Sequence, residues 1–250
     1  MLKDSPNAND WRVRAQISLL DRAYPASTLA KALVRKVKRK MVGIDYRIEP
    51  AAIFGIVVFD RPDLDGGGVS FGQDYPRVLR GIGLGQCDRV FEFCAGPGYI
   101  GYSLLAHGFC KQLVLADVNP AAVQAAMMTA KFNRIEHLVT IYLSDGLSAI
   151  PADERWDLVV GNPPHFETWR GDSKLRHEDA GWDLHRKFYS GVKRHLKPGA
   201  SVVLQENRLG SSPDIFESMI RGGGGTVIET VPGSDLGPGG RIYYLHSRWD

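Results

Sequence analysis

The chain has 250 residues, 44% of them hydrophobic and 24% charged, and its 31 Lys and Arg against 28 Asp and Glu give a formal net charge of +3. That is enough apolar material for one well-buried domain with a small appendage, too little length for two full domains, and no apolar run reaches the roughly 18 residues that span a bilayer. Cys87, Cys94 and Cys110 are odd in number and lack Cys-x-x-Cys spacing, which argues against a disulfide framework and a structural zinc site; with a polar start and no apolar leader behind Lys3, a cytoplasmic protein with reduced thiols is expected.

In chain order, residues 1–50 concentrate positive charge, with 11 Lys and Arg against 5 Asp and Glu. From Asp10 to Tyr46 the pattern is helical and broken by Pro25. Its densest piece, Lys31 to Lys40, repeats apolar residues at Leu29, Leu33, Val37 and Met41 and reads as an amphipathic helix with a solvated basic face. An RNA footprint is the less favoured reading of that face. Ile53–Phe59 and Val69–Phe71 flank the turn-forming Arg61–Gly68, which predicts a β-hairpin. Residues 1–75 are accordingly expected to form a helical cap plus hairpin, and 76–250 a catalytic domain.

Strands and helices then alternate: strand 89–93, helix 98–107, strand 112–117, helix 120–133, strands 138–142 and 156–161, helix 183–196 and strand 201–205. Thr226–Val231 and Arg241–His246 add an antiparallel hairpin at one sheet edge. The series predicts an α/β fold: a doubly wound, mostly parallel, seven-stranded sheet.

Two stretches carry chemistry. In Glu92-Phe-Cys94-Ala95-Gly96-Pro-Gly98, a strand runs into a helix through small residues that let backbone amides approach a ligand. Gly96, Gly98 and Gly101 fit a Gly-x-Gly-x-x-Gly turn only loosely. Asp117, ending the next strand, suits a ribose diol, and Asp145, after the third, suits an adenine amino group. Over residues 85–207 this pattern resembles the Rossmann-like class I methyltransferases that use S-adenosylmethionine (SAM). The resemblance implies that Glu92 to Gly98 wraps the methionine part of SAM, that Asp117 holds its ribose and Asp145 its adenine, and that Val118 and Gly146 also contact the cofactor. Cys94 stands where relatives carry glycine, and Glu92 where they carry aspartate.

The second stretch is Asn162-Pro163-Pro164-His165, at the end of the apolar strand Trp156–Gly161. Two prolines enforce a rigid extended turn. Such a turn aims the Asn162 side chain and the Pro163 carbonyl as acceptors for an N–H2 group, whose nitrogen lone pair then faces the methyl-sulfonium. The motif resembles the Asn-Pro-Pro-Tyr/Phe signature of HemK-type release-factor glutamine methyltransferases and of adenine-N6 and guanine-N2 methyltransferases, with Asn162 also beside the cofactor. His165 departs from that signature, and an imidazole there either stacks on a flat acceptor or takes a proton. The following loop offers Phe166, Trp169 and Trp182 as substrate contacts. His177, Glu178, Asp179 and His185 lack a familiar ligand spacing, so no metal is expected.

The reading is an N-directed, SAM-dependent methyltransferase that releases S-adenosylhomocysteine. Its acceptor is left open among a protein glutamine, a nucleobase and a small molecule. The alternatives are intramolecular closure of SAM to an azetidine amino acid with release of methylthioadenosine, and a non-catalytic SAM- or RNA-binding module.

Overall fold

A computed structural model describes residues 49–53, 55–60, 64, 68–171, 174–234 and 240–249. The expected helices between residues 10 and 46, including the basic one, lie outside the described residues.

Strands β1 (Glu49–Ile53) and β2 (Ile56–Asp60) form a two-stranded antiparallel sheet. Helix α1 (Gly68–Gly81) leads into β3 (Cys87–Phe93), α2 (Tyr99–Ala106), β4 (Cys110–Asp117), α3 (Pro120–Asn133), β5 (Val139–Leu143) and β6 (Trp156–Gly161). The single helical turn α4 (Lys174–His177) and helix α5 (Asp183–Gly191) follow, then β7 (Leu196–Asn207), α6 (Pro213–Gly222), β8 (Gly225–Pro232) and β9 (Ile242–Trp249). The seven-stranded sheet has the order β5-β4-β3-β6-β7-β9-β8 and is parallel except where β9 runs antiparallel to both of its neighbours. This is the doubly wound sheet that the alternation predicts.

Side chains alternate between the two faces of each strand, so each strand divides its apolar residues between two cores. Val90, Leu113, Leu115, Leu158 and Val160 pack with Tyr75, Val78 and Leu79 of α1 and Ile100, Tyr102 and Leu104 of α2. Phe91, Phe93, Val114, Trp156 and Val159 face the other way, against Phe188 and Tyr189 of α5 and Phe216 and Ile220 of α6. Both faces are covered, which is why these strands read as near-continuous apolar runs.

The hairpin differs from expectation. It closes between Ile53 and Ile56, through a two-residue connection ending on Gly55 at φ 93°, and Val69–Phe71 is not its second strand. Those residues belong to α1, because Tyr75, Val78 and Leu79 place an apolar stripe at helical spacing that the sheet buries. Residue 75, the expected domain boundary, lies inside this helix. The helix expected over 183–196 stops at Gly191 and tightens into a 3-10 turn, and β7 begins at Leu196, so Pro198 and Gly199 fall within a strand with a register shift opposite Trp156 and Leu158.

Tyr75 is where α1 meets the centre of the sheet. Its hydroxyl lies 2.7 Å from the Gly161 carbonyl, 2.9 Å from that of Val203 and 3.1 Å from the Gly161 amide, bridging the end of β6 and the interior of β7. The residue after Gly161 is Asn162. Because the strand order reverses between β3 and β6, the carboxyl ends of β3, β4 and β6 open on one crevice.

Candidate functional site

A cavity of about 810 Å³ occupies that crevice. Cys94, Ala95 and Gly96 after β3, Asp117 and Val118 at the end of β4, and Asp145 and Gly146 beyond β5 line one part of it. Asn162, Pro164, His165, Phe166 and Trp169 after β6 line the other. The sites expected from separate stretches of sequence thus share one space.

Backbone geometry prepares the first wall. Gly96 sits at φ +54°, and a Cβ there would meet nothing nearer than the Leu64 carbonyl at 3.9 Å, so the missing side chain leaves room for a ligand. Its amide donates to Asp117 Oδ2 at 2.7 Å, while Asp117 Oδ1 accepts the Asn119 amide at 2.8 Å. The carboxylate is thereby fixed, with lone pairs left over on both oxygens. Burial raises its pKa, an effect these amide bonds partly offset. Asn119 caps α3 by accepting the Ala121 amide, and Pro120 begins the helix.

Glu92 and Gly98 stand behind this wall and do not line the cavity. Glu92 is fully buried and accepts the Gly101 amide at 2.7 Å, so its carboxyl group ties β3 to the first turn of α2. A Cβ on Gly101 would strike that same oxygen at 2.7 Å, which accounts for glycine there. Burial pushes the Glu92 carboxyl up to about 8 despite the amide bonds. Cys94, at φ 53°, remains on the cavity wall, and burial holds its thiol far above the ordinary range. An unionised thiol of that kind is a packing group.

On the second wall, His165 is buried, and burial, with smaller contributions from His177 and His185, pushes its pKa down to about 4. The imidazole is therefore neutral at physiological pH. It opens a run of rings along the wall: His165 to Phe166 at 5.1 Å between centroids, Phe166 to Trp169 at 4.9 Å, and Trp169 to His177 at 4.5 Å. Pro163 is buried and does not line the cavity. Trp182 also misses it: at φ 58° its chain turns inward, and the indole packs edge-on against His185 and Phe216 in the core. Among the described residues, no group of three His, Cys, Asp or Glu is placed to hold a metal ion.

Residues 79–221 match the methyltransferase small domain. The chain belongs to that family. Its cofactor is S-adenosylmethionine. The small-subunit ribosomal RNA methyltransferase C of Hahella chejuensis is 30% identical over 132 residues, covering 53% of this chain and 35% of that protein. The release factor glutamine methyltransferase of Clostridium acetobutylicum is 25% identical over 181 residues, covering 67% of this chain and 59% of that protein. The chain thus matches between 35% and 59% of the length of these two relatives. Among solved structures, the T. thermophilus 16S rRNA N2 G1207 methyltransferase in complex with AdoMet and guanosine shares the fold, with a TM-score of 0.55 at 17% identity over 82% of this chain and 50% of that one. The M. jannaschii tRNA m1G37 methyltransferase gives 0.54 at 18% identity, covering 82% of this chain and 55% of that one.

Several lining residues escaped the sequence reading of this family member. Leu64 closes the cavity near Ala122, and Asn207, Leu209 and Ile242 reach it from the ends of β7 and β9. Only the pairing of β9 with β7 brings Ile242 opposite Asn207, and no local pattern signals that. Arg176 also lines the wall, from a loop whose aromatic and charged content was the available signal.

Proposed function

We propose that this chain is an N-methyltransferase that transfers the methyl group of SAM to a neutral, planar nitrogen, either an amide or a nucleobase amine. The observation that carries this reading is that Asp117 and Asn162, at the ends of β4 and β6, open on the same cavity. On this reading Gly96 and Asp117, which line the cavity, hold the methionine and ribose parts of the cofactor, and Asp145 with Gly146 the adenine. When bound, SAM supplies an electrophilic methyl group. What the protein contributes is position: the Asn162 side chain accepts an N–H of the acceptor and turns the nitrogen lone pair toward that methyl. Transfer would replace the S–C bond of SAM by an N–C bond, with the proton of the nitrogen going to solvent.

His165 supports a neutral acceptor over an aliphatic amine. An amine arrives protonated and needs a base near pH 7, whereas an imidazole with a pKa of about 4 is a poor one. The rings of His165, Phe166 and Trp169 instead form a wall on which a flat group can rest. One relative is named for glutamine, whose side chain is a planar amide, and another for ribosomal RNA, which carries nucleobases.

The test is to supply methyl-labelled SAM with small-subunit ribosomal RNA, with a release factor and with a small-molecule extract in parallel. Label on a nitrogen of any one fraction is the expected result. Label on carbon or oxygen alone, or none in any fraction from protein that binds SAM, contradicts the proposal.

A further inference from the structure

The acceptor-facing wall is a loop that closes on itself. The Phe166 amide donates to the His177 carbonyl at 3.0 Å, the Asp179 amide returns to the Phe166 carbonyl at 2.8 Å, and the Trp169 amide donates to Glu178 Oε2 at 2.7 Å. Phe166 and Glu178 pair as a parallel bridge at its neck. What fixes this loop to the sheet is a fully buried ionic group. His185 Nδ1 lies 2.6 Å from Asp179 Oδ2, and His185 Nε2 lies 3.0 Å from Glu206 Oε1.

Asp179 is at the neck of the loop, His185 is on α5, and Glu206 is on β7 beside the cavity residue Asn207. The Leu184 and His185 amides also donate to Asp179, at 2.9 and 3.1 Å. Burial works against the imidazolium, but the Glu206 and Asp179 carboxylates together outweigh it and raise its pKa to about 9. The two acids hold it unequally. Burial raises Glu206, whose Oε2 has no hydrogen-bond partner among the described residues, while Asp179, despite its own burial, is lowered by the closer His185 contact and the amides. Asp179 makes the shorter contact, 2.6 Å against 3.0 Å, and it is the one carried by the loop.

A charged triad in this position does little for stability that apolar packing would not do as well. Its value lies in geometry, because a buried ion pair accepts very few alternative arrangements. We propose that His185 is a positioning residue for the transfer reaction, acting through Asp179 to hold His165, Phe166 and Trp169 against the acceptor. This rests on the functional reading above, since it assumes that the acceptor lies along that wall.

Amide hydrogen exchange in the full chain with SAM as the only ligand tests it. In His185→Leu, exchange at Phe166, Trp169 and Asp179 should quicken about tenfold or more, while amides of β3 and β4 stay within about twofold of wild type. SAM affinity should change less than about threefold, because the triad does not touch the Asp117 side of the cavity. Loop amides as protected as in wild type, or protection lost equally from β3 and β4, overturns the proposal. Should His185→Leu fail to fold, Asp179→Asn, which keeps the shape and weakens the ion pair, is the second variant; about a threefold gain in exchange confined to the loop is expected, and none overturns the proposal. Because no acceptor is needed, failure here is distinct from failure of the proposed methyl transfer, which would show as absent turnover in a chain whose loop is anchored.

Discussion

At the scale of single residues, the proposed cofactor wall turns on Asp117, whose carboxylate is already oriented by the Gly96 and Asn119 amides. Asp117→Ala should weaken SAM binding by about 2 to 4 kcal/mol in calorimetry, through two lost hydrogen bonds to a charged group. Unchanged affinity in a folded variant would remove Asp117 from the site. Glu92 gives a pH test. Its folded pKa of about 8 exceeds the ordinary 4.5, so its contribution to stability is complete below about pH 4.5 and is lost as pH rises through about 8. Relative to Glu92→Gln, the wild type should lose about 1.4 kcal/mol per pH unit between roughly pH 5 and 8 and level off above that. Urea unfolding across that range reads the difference, and a constant difference would mean that Glu92 is ionised in the fold. At His165 the expectation concerns rate: with the imidazole neutral, His165→Phe should retain turnover across about pH 6 to 9, whereas loss of a rate limb near neutrality would make it a base.

At the scale of elements, Tyr75 links α1 to the strand that presents Asn162. Tyr75→Phe removes the buried hydroxyl that bridges Gly161 and Val203, which should cost about 1 to 3 kcal/mol in urea unfolding. A smaller cost would indicate that the pairing of β6 with β7 holds these groups without it. The central parallel strands were legible because Val90–Phe93 of β3, Leu113–Ala116 of β4 and Leu158–Gly161 of β6 are buried and so read as near-continuous apolar runs. Helix α1 was not: Val69-Ser-Phe71, three residues after a glycine run, has the look of a strand when taken alone, and the stripe that makes it a helix lies further along, at Tyr75, Val78 and Leu79. Trp182 was misplaced for a different reason. An aromatic residue in a polar loop looks like a ligand contact, and only the left-handed turn at that residue sends it into the core.

At the scale of the whole molecule, the site exists because the strand order reverses between β3 and β6 and brings two distant motifs to one crevice. The motifs themselves were readable, as was their placement at strand ends. The far wall was not, because Asn207 and Ile242 meet through an antiparallel pairing, and Asp179, His185 and Glu206 meet through a loop closure that leaves no periodic trace. The central claim is that Asn162 presents a nitrogen to SAM held by the β4 side of the same cavity. Its most direct test is mass analysis of the cofactor product formed by wild type and by Asn162→Ala once an acceptor fraction is found. The account predicts S-adenosylhomocysteine from the wild type, and from Asn162→Ala a kcat lower by about a hundredfold with SAM affinity nearly unchanged. Methylthioadenosine as the product, or near-wild-type kcat in Asn162→Ala, would contradict it.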